Sequence, residues 1–146
     1  MTILHRFKYL LSLIILMKNL KKMLLELDKL DLPRDKYAIF GSAPLAAHGI
    51  RDVDDLDIIV KPELWQELEK KYPKLNEKEI KIGNIEIFNS WKPWFDDVNK
   101  LIDDSEIIDG YRFVKLKYVL GWKRTFGREK DQKDVKKIED YMSNLS

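Results

Sequence analysis

The chain has no cysteine. Disulfides and thiolate chemistry are therefore excluded, and any zinc would depend on carboxylates and the two histidines, His5 and His48. This composition suits a reducing cytoplasm, where we expect the protein to work. Charge of one sign is also lacking. The net charge is only +2 and acidic and basic residues alternate along most of the chain, so a mixed, solvated surface is the default reading. A long hydrophobic run is missing as well: the apolar stretch Tyr9 to Leu16 falls short of the ~20 residues that span a bilayer. The segment Met17-Lys18-Asn19-Leu20-Lys21-Lys22 offers no small-residue cleavage site for a signal peptide.

What is present fits one domain over residues 1–146 with a modest core. Residues 1–16 read as an apolar extension of the first helix, a surface for a protein partner or a second copy of the chain, or as upstream translation before a start at Met17. Leu20, Met23, Leu24, Leu27 and Leu30 recur at helical spacing. Leu32-Pro33 ends that helix. A second helix is predicted over Pro62 to Tyr72, where Leu64, Trp65, Leu68 and Tyr72 form the apolar stripe. Glu79 to Ile82 and Ile85 to Phe88 alternate around Gly83-Asn84, which predicts a two-residue hairpin. Ile82 then faces Ile85, Lys81 faces Glu86, and Ile80 faces Ile87. All four isoleucines share one face, and Glu86 is read as the hairpin's only acid on the other.

The aromatic segment Asn89 to Phe95 offers Trp91 and Trp94 either as packing under a loop or as platforms for a base. Asp96 to Asp104 is at most helical. Gly110 to Leu116 reads as a strand, Leu116 to Thr125 as a helix ended by Gly127, and Glu129 to Met142 as a last helix.

The organising stretch is Tyr37 to Val60, YAIFGSAPLAAHGIRDVDDLDIIV. It reads as a strand, a Gly41-Ser42 turn, a short helix, a charged loop, and a second strand with Asp55 and Asp57 at its mouth. Alternation puts those carboxylates on one face with Cα atoms roughly 6.6 Å apart. Their mutual repulsion invites a divalent cation, or a pair about 3.5–4 Å apart, the apparatus of in-line displacement at phosphate. If this strand neighbours the hairpin with both apolar faces on the helices, Glu86 joins the same acidic face. Gly41 and Ser42 lie where a backbone turn and a Ser-capped helix start could hold phosphate, or where a plain strand-to-helix turn would do. His48 reads as packed or solvent-facing. Arg51 either contacts phosphate or pairs with Asp52 or Asp54.

Gly41-Ser42, a spacer to Asp54, and Asp55-Leu56-Asp57 leading into an apolar strand resemble the nucleotidyltransferase superfamily that shares the DNA polymerase beta fold. Arg51-Asp52-Val53-Asp54-Asp55-Leu56-Asp57 is similar to its small stand-alone members, among them nucleotidyltransferases of abortive-infection and toxin–antitoxin systems. Lys123, Gly127-Arg128-Glu129-Lys130-Asp131 and Asp134 resemble the tail of those proteins, so the likeness covers about residues 35–142. It implies an α/β (α+β) fold, with a small mixed, twisted sheet carrying helices on one face and a metal site on the other. It implies Mg²⁺ or Mn²⁺ on Asp55, Asp57 and Glu86, and a nucleoside triphosphate held by Gly41, Ser42, Arg51 and Lys123. Glu86 would be the probable base, where many relatives carry Asp. Lys123 would neutralise phosphate charge with Asp131 and Arg128 in support, or these residues would form a surface ion-pair network between two helices. The expected reaction transfers a nucleoside monophosphate to an RNA, protein or small-molecule acceptor. The rival is a non-catalytic nucleotide-binding or antitoxin-like partner.

Overall fold

The computed structural model describes residues 17–145; the expectations for residues 1–16, His5 included, lie outside them. Helix α1 (Lys18–Lys29) buries Leu20, Met23, Leu24 and Leu27, as its spacing requires. Each such side chain contributes about 1.5–3 kcal/mol when withdrawn from water. A 3₁₀ turn (Arg34–Lys36) leads into β1 (Tyr37–Phe40), followed by the short α2 (Ala43–Ala47), β2 (Leu56–Val60) and α3 (Pro62–Lys71). The chain continues through β3 (Lys74–Asn76), β4 (Glu79–Ile82), β5 (Ile85–Phe88), α4 (Val98–Asp103), β6 (Glu106–Ile108) and β7 (Tyr111–Phe113). Helices α5 (Leu116–Phe126) and α6 (Glu129–Ser143) close it. No helix among the described residues is long and apolar enough to cross a membrane.

The strands form one mixed seven-stranded sheet in the order β3-β4-β5-β2-β1-β7-β6. The β4–β5 hairpin has the expected register, with Ile82 opposite Ile85, Lys81 opposite Glu86 and Ile80 opposite Ile87. Strand β5 runs parallel to β2 and sets Glu86 beside Asp57. β2 is antiparallel to β1, with Asp57 opposite Phe40.

Helices cover both faces of the sheet rather than the one face expected. On the first face Ile39, Ile58, Ile80 and Ile87 pack with α1 and α3. On the second, Ala38, Phe40 and Ile59 pack with α4, α5 and α6. The reason lies in β1 and most of β2, which are apolar on both sides, as buried central strands are. The acidic face is thus confined to the part of the sheet that α5 and α6 leave open. Two three-residue strands, β3 and β6, form the sheet edges and have no counterpart in the sequence reading. The strand read as Gly110 to Leu116 is shorter, because Leu116 already begins α5.

Candidate active site

The loop that delivers the acids to β2 is anchored by two adjacent residues, Arg51 and Asp52. Asp52 accepts hydrogen bonds from the backbone N–H groups of Asn19 (3.0 Å) and Leu20 (3.2 Å), so an acid 33 residues away in sequence satisfies the open first turn of α1. Arg51 grips Asp134 of α6 with a two-pronged ion pair, Nε to Oδ1 and Nη2 to Oδ2, both 2.7 Å. This corrects the expected partner: neither the Asp52 nor the Asp54 carboxylate pairs with Arg51, which donates only to the Asp52 carbonyl.

Beyond these anchors the chain enters β2 with Asp55 and Asp57, and each of Asp55, Asp57 and Glu86 offers an oxygen within 4.8 Å of the others. The unpaired acids shift upward. The Asp57 carboxyl is raised to about 9, first by burial, then by its hydrogen bond with Glu86 and the charges of Asp55, Glu86 and Glu79. Asp55 is raised by burial and by Glu86 and Asp54, while Lys130 opposes the rise. At neutral pH Asp57 therefore keeps its proton in its contact with Glu86, and that proton does part of what a cation would do. Asp57 Oδ1 is buried without a hydrogen-bond partner. An all-oxygen donor set, excess negative charge and one unsatisfied buried oxygen together fit a hard divalent cation.

Gly41 has φ +65°, and a Cβ there would lie 2.3 Å from Asp57 Oδ2. Its first service is therefore to Asp57, which occupies the space a side chain would need. Ser42 does not cap α2. Its Oγ accepts instead from Lys123 Nζ at 3.0 Å. The expected amide cradle is also reduced, because α2 has five residues, Pro44 has no N–H, and the Leu45 N–H already bonds the Ser42 carbonyl. The Ser42 hydroxyl proton remains a donor for an anion at this turn.

Lys123 is 2% exposed and also donates to Asp134 (2.8 Å) and Asp131 (3.5 Å). All three ammonium protons are thus committed. Arg128 completes the group, with Nε 2.6 Å from Asp131 Oδ2. The expected surface network between the last two helices is real in connectivity but buried. In Asp131 and Asp134 burial pushes the carboxyl up, yet the hydrogen bonds and charges of Arg128, Arg51 and Lys123 outweigh it and hold both below the usual range. Hydrogen bonding to Asp134 likewise raises Arg51.

A cavity of about 710 Å³ joins the acidic triad, Ser42, Arg51 and Lys123 to an aromatic wall. Trp91 packs on Phe40 (ring centres 4.2 Å apart) beneath that wall, as the packing alternative had it, whereas Trp94 is half-buried and stands against Phe126. His48 is half-buried, bonded to Glu106 (2.6 Å) and Tyr141 (3.1 Å).

One acid escaped the sequence reading. Glu79 lies opposite Phe88 and hence on the same face as Glu86, so Glu86 is not the hairpin's only acid there. Glu79 lines the cavity and is itself raised, by burial and then by Glu86. The signal was available, since Glu79 and Lys81 must share a face. No Lys81–Glu86 ion pair forms among the described residues, although the two stand opposite each other. No family model, curated protein or solved structure matches this chain, and the functional reading rests on the arrangement of these side chains.

Proposed function

We propose that the protein is a divalent-cation-dependent nucleotidyltransferase that moves a nucleoside monophosphate from a nucleoside triphosphate to an acceptor hydroxyl and releases pyrophosphate. The observation that carries this reading is the meeting of Asp55, Asp57, with its unpartnered Oδ1, and Glu86 in a cavity large enough for a nucleotide. Asp55, Asp57 and Glu86 hold Mg²⁺ or Mn²⁺, which supplies charge neutralisation at the reacting phosphate. Glu86 takes or steers the acceptor proton. Ser42 directs its hydroxyl proton to a phosphate oxygen, and Lys123 holds that hydroxyl in place by donating to it.

Arg51, Lys123 and Arg128 bring three positive charges against the two negative ones of Asp131 and Asp134. The surplus supports a polyanion from behind. Lys123 is accordingly a positioning residue, since its donors are spent within the protein. The substrates are those of the cytoplasm, where the cysteine-free composition also fits.

The test is incubation with each α-labelled triphosphate, Mg²⁺ or Mn²⁺, and total RNA or cell lysate. Label should appear on an acceptor and vanish in Asp55→Asn. Cation-dependent triphosphate binding with no transfer to any acceptor would favour the non-catalytic partner instead.

A further inference from the structure

Beside the active-site cavity lies a second groove of about 550 Å³, and Trp94 and Trp122 line both. Trp94 and Trp122 therefore form the partition between two compartments, each of the size of a small-molecule site. The groove's remaining walls are Phe95 and Tyr118, and its floor is Gly121. Gly121 sits in the middle of α5, where glycine is the poorest helix former after proline. No positive φ calls for it, and a Cβ added there would meet nothing within 4 Å. Gly121 is exposed, and neither packing nor backbone geometry requires the missing side chain. Trp122 adds a second observation: it is 8% exposed and its indole N–H has no acceptor, an unmet donor in the shared wall. Lys92 borders the first compartment and Lys117 the second, which places positive charge along the path between them.

We infer that the groove receives the acceptor, as an unpaired nucleobase at the end of a single-stranded polynucleotide, stacked among Trp94, Phe95 and Tyr118 above Gly121. Stacking accepts any base, and the lysines suit the backbone phosphates. This inference rests on the transferase reading for its chemistry. The terminal ribose hydroxyl attacks the α-phosphorus, a new O–P bond forms, the bond from that phosphorus to the bridging oxygen breaks, pyrophosphate leaves, and the hydroxyl proton passes to Glu86.

The experiment uses the full chain, a fluorescein-labelled single-stranded oligoribonucleotide followed by anisotropy in Mg²⁺, and separately a labelled triphosphate. Tyr118→Ala and Gly121→Leu, at positions that line the groove but not the active-site cavity, should each weaken the oligonucleotide about tenfold or more, the worth of one stacked base, and leave triphosphate affinity within about twofold. Gly121→Leu should also melt at a higher temperature than the parent, which separates groove filling from misfolding. The inference is overturned by oligonucleotide affinity that is unchanged in both variants, by absence of oligonucleotide binding to the parent chain, or by competition from free triphosphate for the groove. Triphosphate binding that ignores the divalent cation and survives Asp57→Asn would instead sink the acid-site reading, and leaves the groove measurement distinct from it.

Discussion

The two carboxylate groups that face one cavity have opposite fates. Asp131 and Asp134 are 0% and 4% exposed, yet each is held ionised by the arginine and lysine groups that bond it. Asp57 is half-buried with its Oδ1 covered, the charges acting on it are those of other acids, and it is pushed up to about 9. Burial is common to both regions; the partner makes the difference. A buried carboxylate with matched cations is explained by the fold it braces, because Asp134 ties the charged loop and α5 to α6. A carboxylate among carboxylates has no such partner within the fold and keeps its proton instead. Under the proposed function the paired group acts as scaffold and the unpaired one as site.

Several substitutions can break or sharpen that contrast. The largest effect should come from Lys123→Met, which strands Asp131 and Asp134 in the interior with one partner fewer. A loss of about 3–5 kcal/mol in denaturant unfolding is expected, and an unchanged midpoint would mean that the paired region is not the brace described. Gly41→Ala comes next. It must tolerate φ +65° and displace the Asp57 carboxylate, so stability should fall by about 1–3 kcal/mol, and cation affinity should fall with it in a binding titration. Asp57→Asn should behave in the opposite way from Lys123→Met. Removing an uncompensated acid stabilises the metal-free protein by about 1–2 kcal/mol at neutral to alkaline pH, read as a higher melting temperature, while transfer is lost.

The last contrast is the pH dependence of stability without divalent cations. Asp57 keeps its proton in the folded chain up to about pH 9 but releases it near the ordinary carboxylate range when unfolded. The folded state therefore binds more protons over that window. Its contribution to stability is complete below about pH 4 and declines as pH rises towards 9. Asp131 and Asp134 have lowered values and act in the other sense, adding stability that is lost as the medium is acidified through the carboxylate range. Melting curves of the parent chain and Asp57→Asn from pH 5 to 9 should therefore separate most on the alkaline side.

Much of this was legible locally. Alternation around Gly83-Asn84 yields the hairpin register, and alternation in β2 aims Asp57. Together they place Glu86 beside Asp57 once the strands are neighbours. The helix spacing of Leu20 to Leu27 yields α1 and its buried face. The misses come from long-range competition. Arg51 finds Asp134 across 83 residues although two acids stand within three positions of it, because α6 delivers a carboxylate in line with both guanidinium edges. Ser42 forgoes capping because a buried ammonium across 81 residues takes its oxygen. The edge strands β3 and β6 are three residues each, too short for alternation to declare itself. The second covered face was foreshadowed by YAIF and IIV, which are apolar on both sides of the strand.

The central claim is that the unpaired acids hold a divalent cation, and calorimetric titration of the metal-free chain with Mn²⁺ at pH 7.5 tests it most directly. Run in buffers of different ionisation enthalpy, it should show binding accompanied by release of about one proton per site, because the ion replaces the one on Asp57, and both signals should disappear in Asp57→Asn. Binding without proton release, or binding that survives that substitution, would contradict the account.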